Sequence, residues 1–107
     1  MGTVNEVHLV GRLGGGPEER TLPGGDVLVT LRVSVPRADG THGEGRPDVI
    51  ACTAWTPRSR RAVAGWALGD LVEITGALRH RFFRTLGGTG SRTEVEVIRA
   101  KRVRPGR

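Results

Sequence analysis

Along VLVTLRVSV (27–35) the chain alternates: Val27, Val29, Leu31, Val33 and Val35 share one face, and Leu28, Thr30, Arg32 and Ser34 share the other. A period of two marks a strand with one buried face. The same period runs through DVIACTAW (48–55), where Ile50, Cys52 and Ala54 oppose Val49, Ala51, Thr53 and Trp55. LVEITGALRHRFF (71–83) reads as a long strand bent at Gly76, and TEVEVIRAKRV (93–103) as the last strand. VNEVHLVGRL (4–13) is rich in β-branched residues, with Gly11 inviting a bulge or bend. One segment breaks the pattern. In SRRAVAGWAL (59–68), Ala62, Val63, Trp66 and Ala67 recur at helical spacing. Ser59 suits an N-cap with Pro57 ahead of it, and Gly69 suits a stop. Gly65 weakens that helix.

The order is therefore β-β-β-α-β-β. An all-β, five-stranded OB-fold barrel with one short helix between strands 3 and 4 has this order, and is usually described as partly open. A five-stranded sheet with a packed helix is the plainer alternative. Glycine clusters at 11–19, 22–26, 39–48 and 86–91 punctuate the strands. GRLGGGP (11–17) is expected to turn strand one into strand two, and 36–47 and 85–92 to project as flexible fingers.

Length allows one core: 107 residues make one small domain, expected to span 1–103, with 104–107 a short basic end. No apolar run approaches the ~20 residues of a membrane helix. No secretory or myristoylation signal is visible, so a cytoplasmic, nucleoid-associated protein with no membrane partner is expected. The lone Cys52 excludes an internal disulfide, and His8, His42 and His80 are too scattered for a zinc site. No metal and no cofactor are expected. The serines lack paired His and Asp, and GRLGGGP lacks the GK[ST] of a phosphate loop, so no enzyme is expected. Net charge is +6, and its placement is uneven. Residues 78–107 hold nine Lys/Arg against two Glu, so the whole excess lies in the last 30 residues. That asymmetry fits a polyanion partner, or a basic surface kept for solubility.

VNEVHLVGRLGGGPEER (4–20), VTLRVSV (29–35), a third strand ending Ala54-Trp55, LGDLVEITGALRHR (68–81) and TEVEV (93–97) occur in an order and spacing that resembles the bacterial single-stranded DNA-binding protein family. The likeness covers about residues 4–98. It implies an OB-fold that pairs as a homodimer or homotetramer and wraps single-stranded DNA without strong sequence preference, in replication, recombination or repair. The family stacks bases on aromatic side chains at four places. Two fall here on Trp55 and Phe83, and the other two on Val49 and near Arg37, which are not aromatic. The family's long tail with an acidic tip has no counterpart, so no docking of proteins through such a tip is expected. The likeness also makes the first strand, 4–13, the expected dimer seam.

On that basis Trp55 and Phe83 are the candidate stacking residues. Trp55 could instead cap the barrel end, and Phe83 could serve a dimer contact. Arg79, Arg81 and Arg84 beside Phe83, with Arg32 on strand two, are candidate phosphate ligands, since guanidinium offers a two-pronged donor. Arg12, Arg37, Arg46 and Arg92 lie in or next to loops that could close over a strand. Arg58, Arg60 and Arg61 read as solvated helix charges, while Arg99, Lys101, Arg102, Arg104 and Arg107 would add non-specific attraction or fray. In GALRHRFFRT (76–85), alternation sends Phe82 inward with Leu78 and His80, and Phe83 outward with Arg79 and Arg81. Phe82 and Trp66 are expected in the core, and His8 and His80 in structural roles. Two other functions share this fold: a replication-restart accessory that binds DNA and a helicase, and a protein-interaction module that binds no nucleic acid.

Overall fold

The computed structural model describes residues 2–106; Met1 and Arg107, the last of the C-terminal cations, lie outside the described residues. Five strands, β1 (Val7–Thr21), β2 (Val27–Pro36), β3 (Pro47–Ala54), β4 (Leu71–Thr85) and β5 (Gly88–Arg104), close into a barrel in the order β1-β2-β3-β5-β4. One helix, α1 (Pro57–Val63), lies between β3 and β4. This is the OB arrangement read from the element order, closed rather than partly open. The closing seam is short: β3 meets β5 in parallel at Cys52↔Val95 and Thr53↔Glu96, while every other pairing is antiparallel. No helix among the described residues is long and apolar enough to cross a membrane.

The alternating rows meet inside. Leu13, Leu31, Val33, Cys52, Ala54, Val72, Ile74, Val95 and Val97 are all at most 3% exposed, and Val63 and Trp66 join them from the helix and the turn after it. Burying one such aliphatic side chain stabilises the fold by ~1.5–3 kcal/mol, so the filled interior is the main source of stability. Cys52 sits in this interior. Burial, with Glu94 as a lesser cause, pushes its thiol up to about 12.

Several local expectations change. β1 does not end at residue 13. It runs on through 11–19 with register shifts after Leu13 and Gly15, pairing first with β4 and then with β2. The turn into β2 is instead LPGGD, closed by the Leu22 N–H to Asp26 carbonyl bond at 2.8 Å. The helix starts earlier and is shorter than expected. Thr56 is its N-cap and Pro57 its first residue, while Ser59 completes a reciprocal capping box with Thr56. It ends at Val63 because Ala64 is extended and Gly65 takes φ +83°. Trp66 is buried as expected, but from that turn rather than from a helix face.

Glycine is obligatory at 76, since a Cβ there would collide with the Glu96 carbonyl oxygen. Beyond it β4 and β5 leave the barrel together. Residues 85–92 are not a loose finger, since the strands stay paired to Thr85↔Gly88 and turn through Leu86 and Gly87. The other glycine-rich stretch is a series of hydrogen-bonded turns, closed by the Arg37 N–H to Arg46 carbonyl bond at 2.9 Å. Because the barrel has ended, Phe82 is not in the core. It stays on the face of Leu78 and His80, as alternation requires, but is 77% exposed. The C-terminal strand does not fray at its end. Asp70 accepts the Gly106 N–H at 2.9 Å and the Ala67 N–H at 2.8 Å, and lies 3.5 Å from Arg102. The Ala67 bond first, outweighing burial, then Gly106 and Arg102 hold the Asp70 carboxyl below its ordinary range.

Candidate nucleic-acid interface

The outward rows of β2, β3, β4 and β5 form one continuous surface. Arg32 lies opposite Ala51, Thr30 opposite Thr53, Arg79 opposite Glu94, Arg81 opposite Arg92, and Phe83 opposite Gly90. Thr30, Arg32, Ala51 and Thr53, with the bulged Gly15–Gly16 segment of β1, Arg20, Arg92 and Glu94, border a cleft of about 200 Å³; Arg79, Arg81 and Phe83 continue the surface beyond it. The small residues at 51 and 53 form its floor. The Arg32 guanidinium lies against Gly15 on one wall.

The other wall is a lattice of stacked and paired arginines. The Arg81 guanidinium carbon lies 4.8 Å from the centre of the Trp55 ring, and Arg92 lies 5.9 Å from that of Phe83. Arg81 also donates to Glu94 at 2.9 Å and approaches Glu96 at 3.6 Å. Arg92 pairs with Glu94 at 3.2 Å, and Arg79 with Glu96 at 3.0 Å. Glu94 is only 3% exposed. Burial alone would raise its carboxyl, but hydrogen bonds from Thr53 and Arg81, with the charges of Arg81 and Arg92, hold it below its ordinary value. Glu94 thus fixes two arginines of the surface from beneath.

Trp55 is half-buried at the end of β3, with one ring face under Arg81. Its indole N–H is buried and has no partner among the described residues. It follows directly on the last β2–β3 pair, Val29↔Ala54, and Leu28, next to Val29 on the outward face of β2, is 4% exposed. Phe83 is more open, at 44% exposed. Its ring lies against Gly90, where a Cβ would come within 2.5 Å of the ring. Only glycine lets the ring lie there.

The structure therefore brings Arg32, Trp55, Arg79, Arg81, Phe83 and Arg92 onto one surface. It does not bring in the others. Arg84 alternates to the opposite face of the ribbon, opposite Thr89. Arg37 secures the β2–β3 turns through Asp48 at 3.0 Å and the His42 carbonyl at 3.3 Å, and Arg46 lies exposed in those turns. Arg12 lies opposite Ser34 and donates to the Gly69 carbonyl at 3.3 Å. Val49 is exposed at the start of β3, 58% open and aliphatic. Sequence reasoning missed Glu94 and Glu96. The alternation of TEVEV already put both glutamates opposite Val95 and Val97, on the face of the arginines.

A closed five-stranded barrel with one helix between β3 and β4, carrying arginines and two aromatic rings on one outward face, falls in the class of OB-fold domains. The match is narrower than that class. Residues 4–104 fit the model of the single-strand binding protein family, and the chain belongs to that family. A single-stranded DNA-binding protein of Bacillus cereus is 32% identical over 101 residues, covering 94% of this chain and 58% of that protein. Single-stranded DNA-binding protein 3 of Listeria innocua is also 32% identical over 101 residues, covering 62% of its own length. The chain thus spans about three fifths of the length of these two relatives. The crystal structure of a mitochondrial single-stranded DNA binding protein from S. cerevisiae shares the fold at TM-score 0.70, with 14% identity, covering 94% of this chain and 96% of that one.

Proposed function

We propose that this chain binds single-stranded DNA without strong sequence preference, serving replication, recombination or repair in the cytoplasm at the nucleoid. The observation that carries the reading is the convergence of Trp55, Phe83, Arg32, Arg79, Arg81 and Arg92 on one outward surface over a floor of small residues. A base stacks on Phe83, whose exposed ring is held by Gly90 and Arg92. Phosphates then compete with glutamates for the arginines. Arg79 exchanges most easily, because an exposed ion pair is worth only ~0–1 kcal/mol. Arg81 and Arg92 stay anchored to the buried Glu94 and present fixed donors. Arg12, Arg37 and Arg46, outside that surface, contribute at most longer-range attraction.

The chain acts with copies of itself. Residues 7–11 of β1 pair with β4 on one side only, and Val10 is 45% exposed beside them, so a second β1 can add to that edge. It is a binding protein, with no catalytic role assigned to its residues.

The test is titration of poly-dT against duplex of equal length across a salt series. The single strand is expected to bind tighter, with a log–log salt slope near −0.7 per phosphate contacted. Equal affinity for both forms, or none for either, would overturn the reading. Light scattering of the free protein checks the assembly, for which a monomeric mass would be the contrary result.

A further inference from the structure

We infer that Phe82 is a second base-stacking residue, on the back of the β4–β5 ribbon, so that one hairpin grips single-stranded DNA from both sides. This rests on the binding function proposed above. Leu78, His80 and Phe82 continue the barrel's inward row past its rim, where Leu78, its backbone bonded to the Asn5 side chain, is already 49% exposed. Phe82 is 77% exposed, far more than Phe83 at 44%. It is nevertheless held in orientation: the His80 ring meets it edge-on, with centroids 4.7 Å apart and planes at 69°. Its cross-strand neighbour is Ser91, with Thr93 and Thr89 on either side, and these short side chains leave the ring face open.

Charge selects the occupant. Glu94 and Glu96, the only acids between residues 78 and 97, lie on the other face and neutralise the arginines there. Arg84 lies on the Phe82 face, two residues or ~7 Å further along the strand. It makes no ion pair among the described residues. An open aromatic ring beside an uncompensated guanidinium suits a stacked base and its phosphate, and this face meets the front groove around a two-residue turn. The aliphatic neighbours a protein contact would use are Leu78, 49% exposed on the same row, and Leu86 in the turn, and Phe82→Leu separates that case from stacking.

The experiment compares Phe82→Ala, Phe82→Leu and Phe82→Trp with wild type in poly-dT titrations, with circular dichroism confirming that each is folded. Stacking predicts that Phe82→Ala and Phe82→Leu each lose affinity roughly tenfold, while Phe82→Trp keeps or tightens it. Wild-type affinity in Phe82→Ala overturns the inference. Full affinity in Phe82→Leu also overturns it, since an apolar protein contact needs no π-face; a lower mass of Phe82→Ala in light scattering would identify that contact as a second copy. If wild type binds while these outcomes occur, only this inference fails. If wild type does not bind poly-dT, the proposed function fails and this inference with it.

Discussion

β4 and β5 are one pair of strands in two environments. From Leu71 to Gly76, β4 is a barrel wall, with Val72 and Ile74 fully buried. From Arg79 onward the same strand is a free ribbon with solvent on both faces, and its best-covered side chain is Arg81. The hydrogen-bond ladder runs through both parts, with register shifts at Leu71/Val72 and Thr75/Gly76. Backbone pairing therefore does not distinguish them. What differs is whether side chains on one face meet an opposing sheet. The barrel half owes its order to apolar burial, and the ribbon half to paired charges and stacked rings.

Substitutions in the two halves should separate stability from binding. The largest effect is expected for Ile74→Ala in the wall, a loss of ~2–5 kcal/mol in urea unfolding with poly-dT affinity of the folded fraction unchanged. A matching loss of affinity would show that the wall shapes the groove. Phe83→Ala on the ribbon should do the reverse, with the unfolding midpoint nearly unmoved and binding weakened by ~1–3 kcal/mol. An unfolding midpoint that drops sharply would make Phe83 a packing residue.

Glu94→Gln tests the border between the two. It should cost on the order of 1 kcal/mol of stability at neutral pH. It should also steepen the salt dependence of poly-dT binding, because Arg81 and Arg92 lose their counter-charge. The sign with pH follows from the lowered Glu94 carboxyl: its contribution is present above the ordinary glutamate range and is lost as pH falls through its depressed value. The stability gap between variant and wild type should therefore narrow below about pH 4. A constant gap would mean that Glu94 acts through shape and not charge. The smallest effect is expected for Arg84→Ala, which should flatten the salt slope by under one unit and leave unfolding unchanged. An unchanged slope would remove Arg84 from the phosphate contacts.

This division also explains what the sequence disclosed. The strands, their order and the inward rows were legible because period-two alternation records which side a residue faces. Alternation does not record where the barrel ends, so Phe82 was assigned its correct face and the wrong environment. The N-cap is Thr56, three residues before Ser59, because Pro57 opens the helix and Ser59 serves as the other half of a capping box. Candidate residues on adjacent strands were found from residue type alone. Their ion pairs were not, because Arg79–Glu96 and Arg81–Glu94 depend on a cross-strand register set by the irregularity at Gly76.

Cys52 gives the molecule a clock. Its thiol is 1% exposed, lies between Leu31 and Val95 in the register and is pushed up to about 12, so it is neither reachable nor ionised while the barrel is closed. A disulfide reagent added to the native protein can then react only during excursions that open the barrel around β3, at its pairing with β2 or with β5. Bending of the ribbon alone leaves the thiol shut away. The rate of labelling counts barrel openings directly, and a bound ligand that merely grips the ribbon would leave that rate alone, while one that also braces the barrel would slow it.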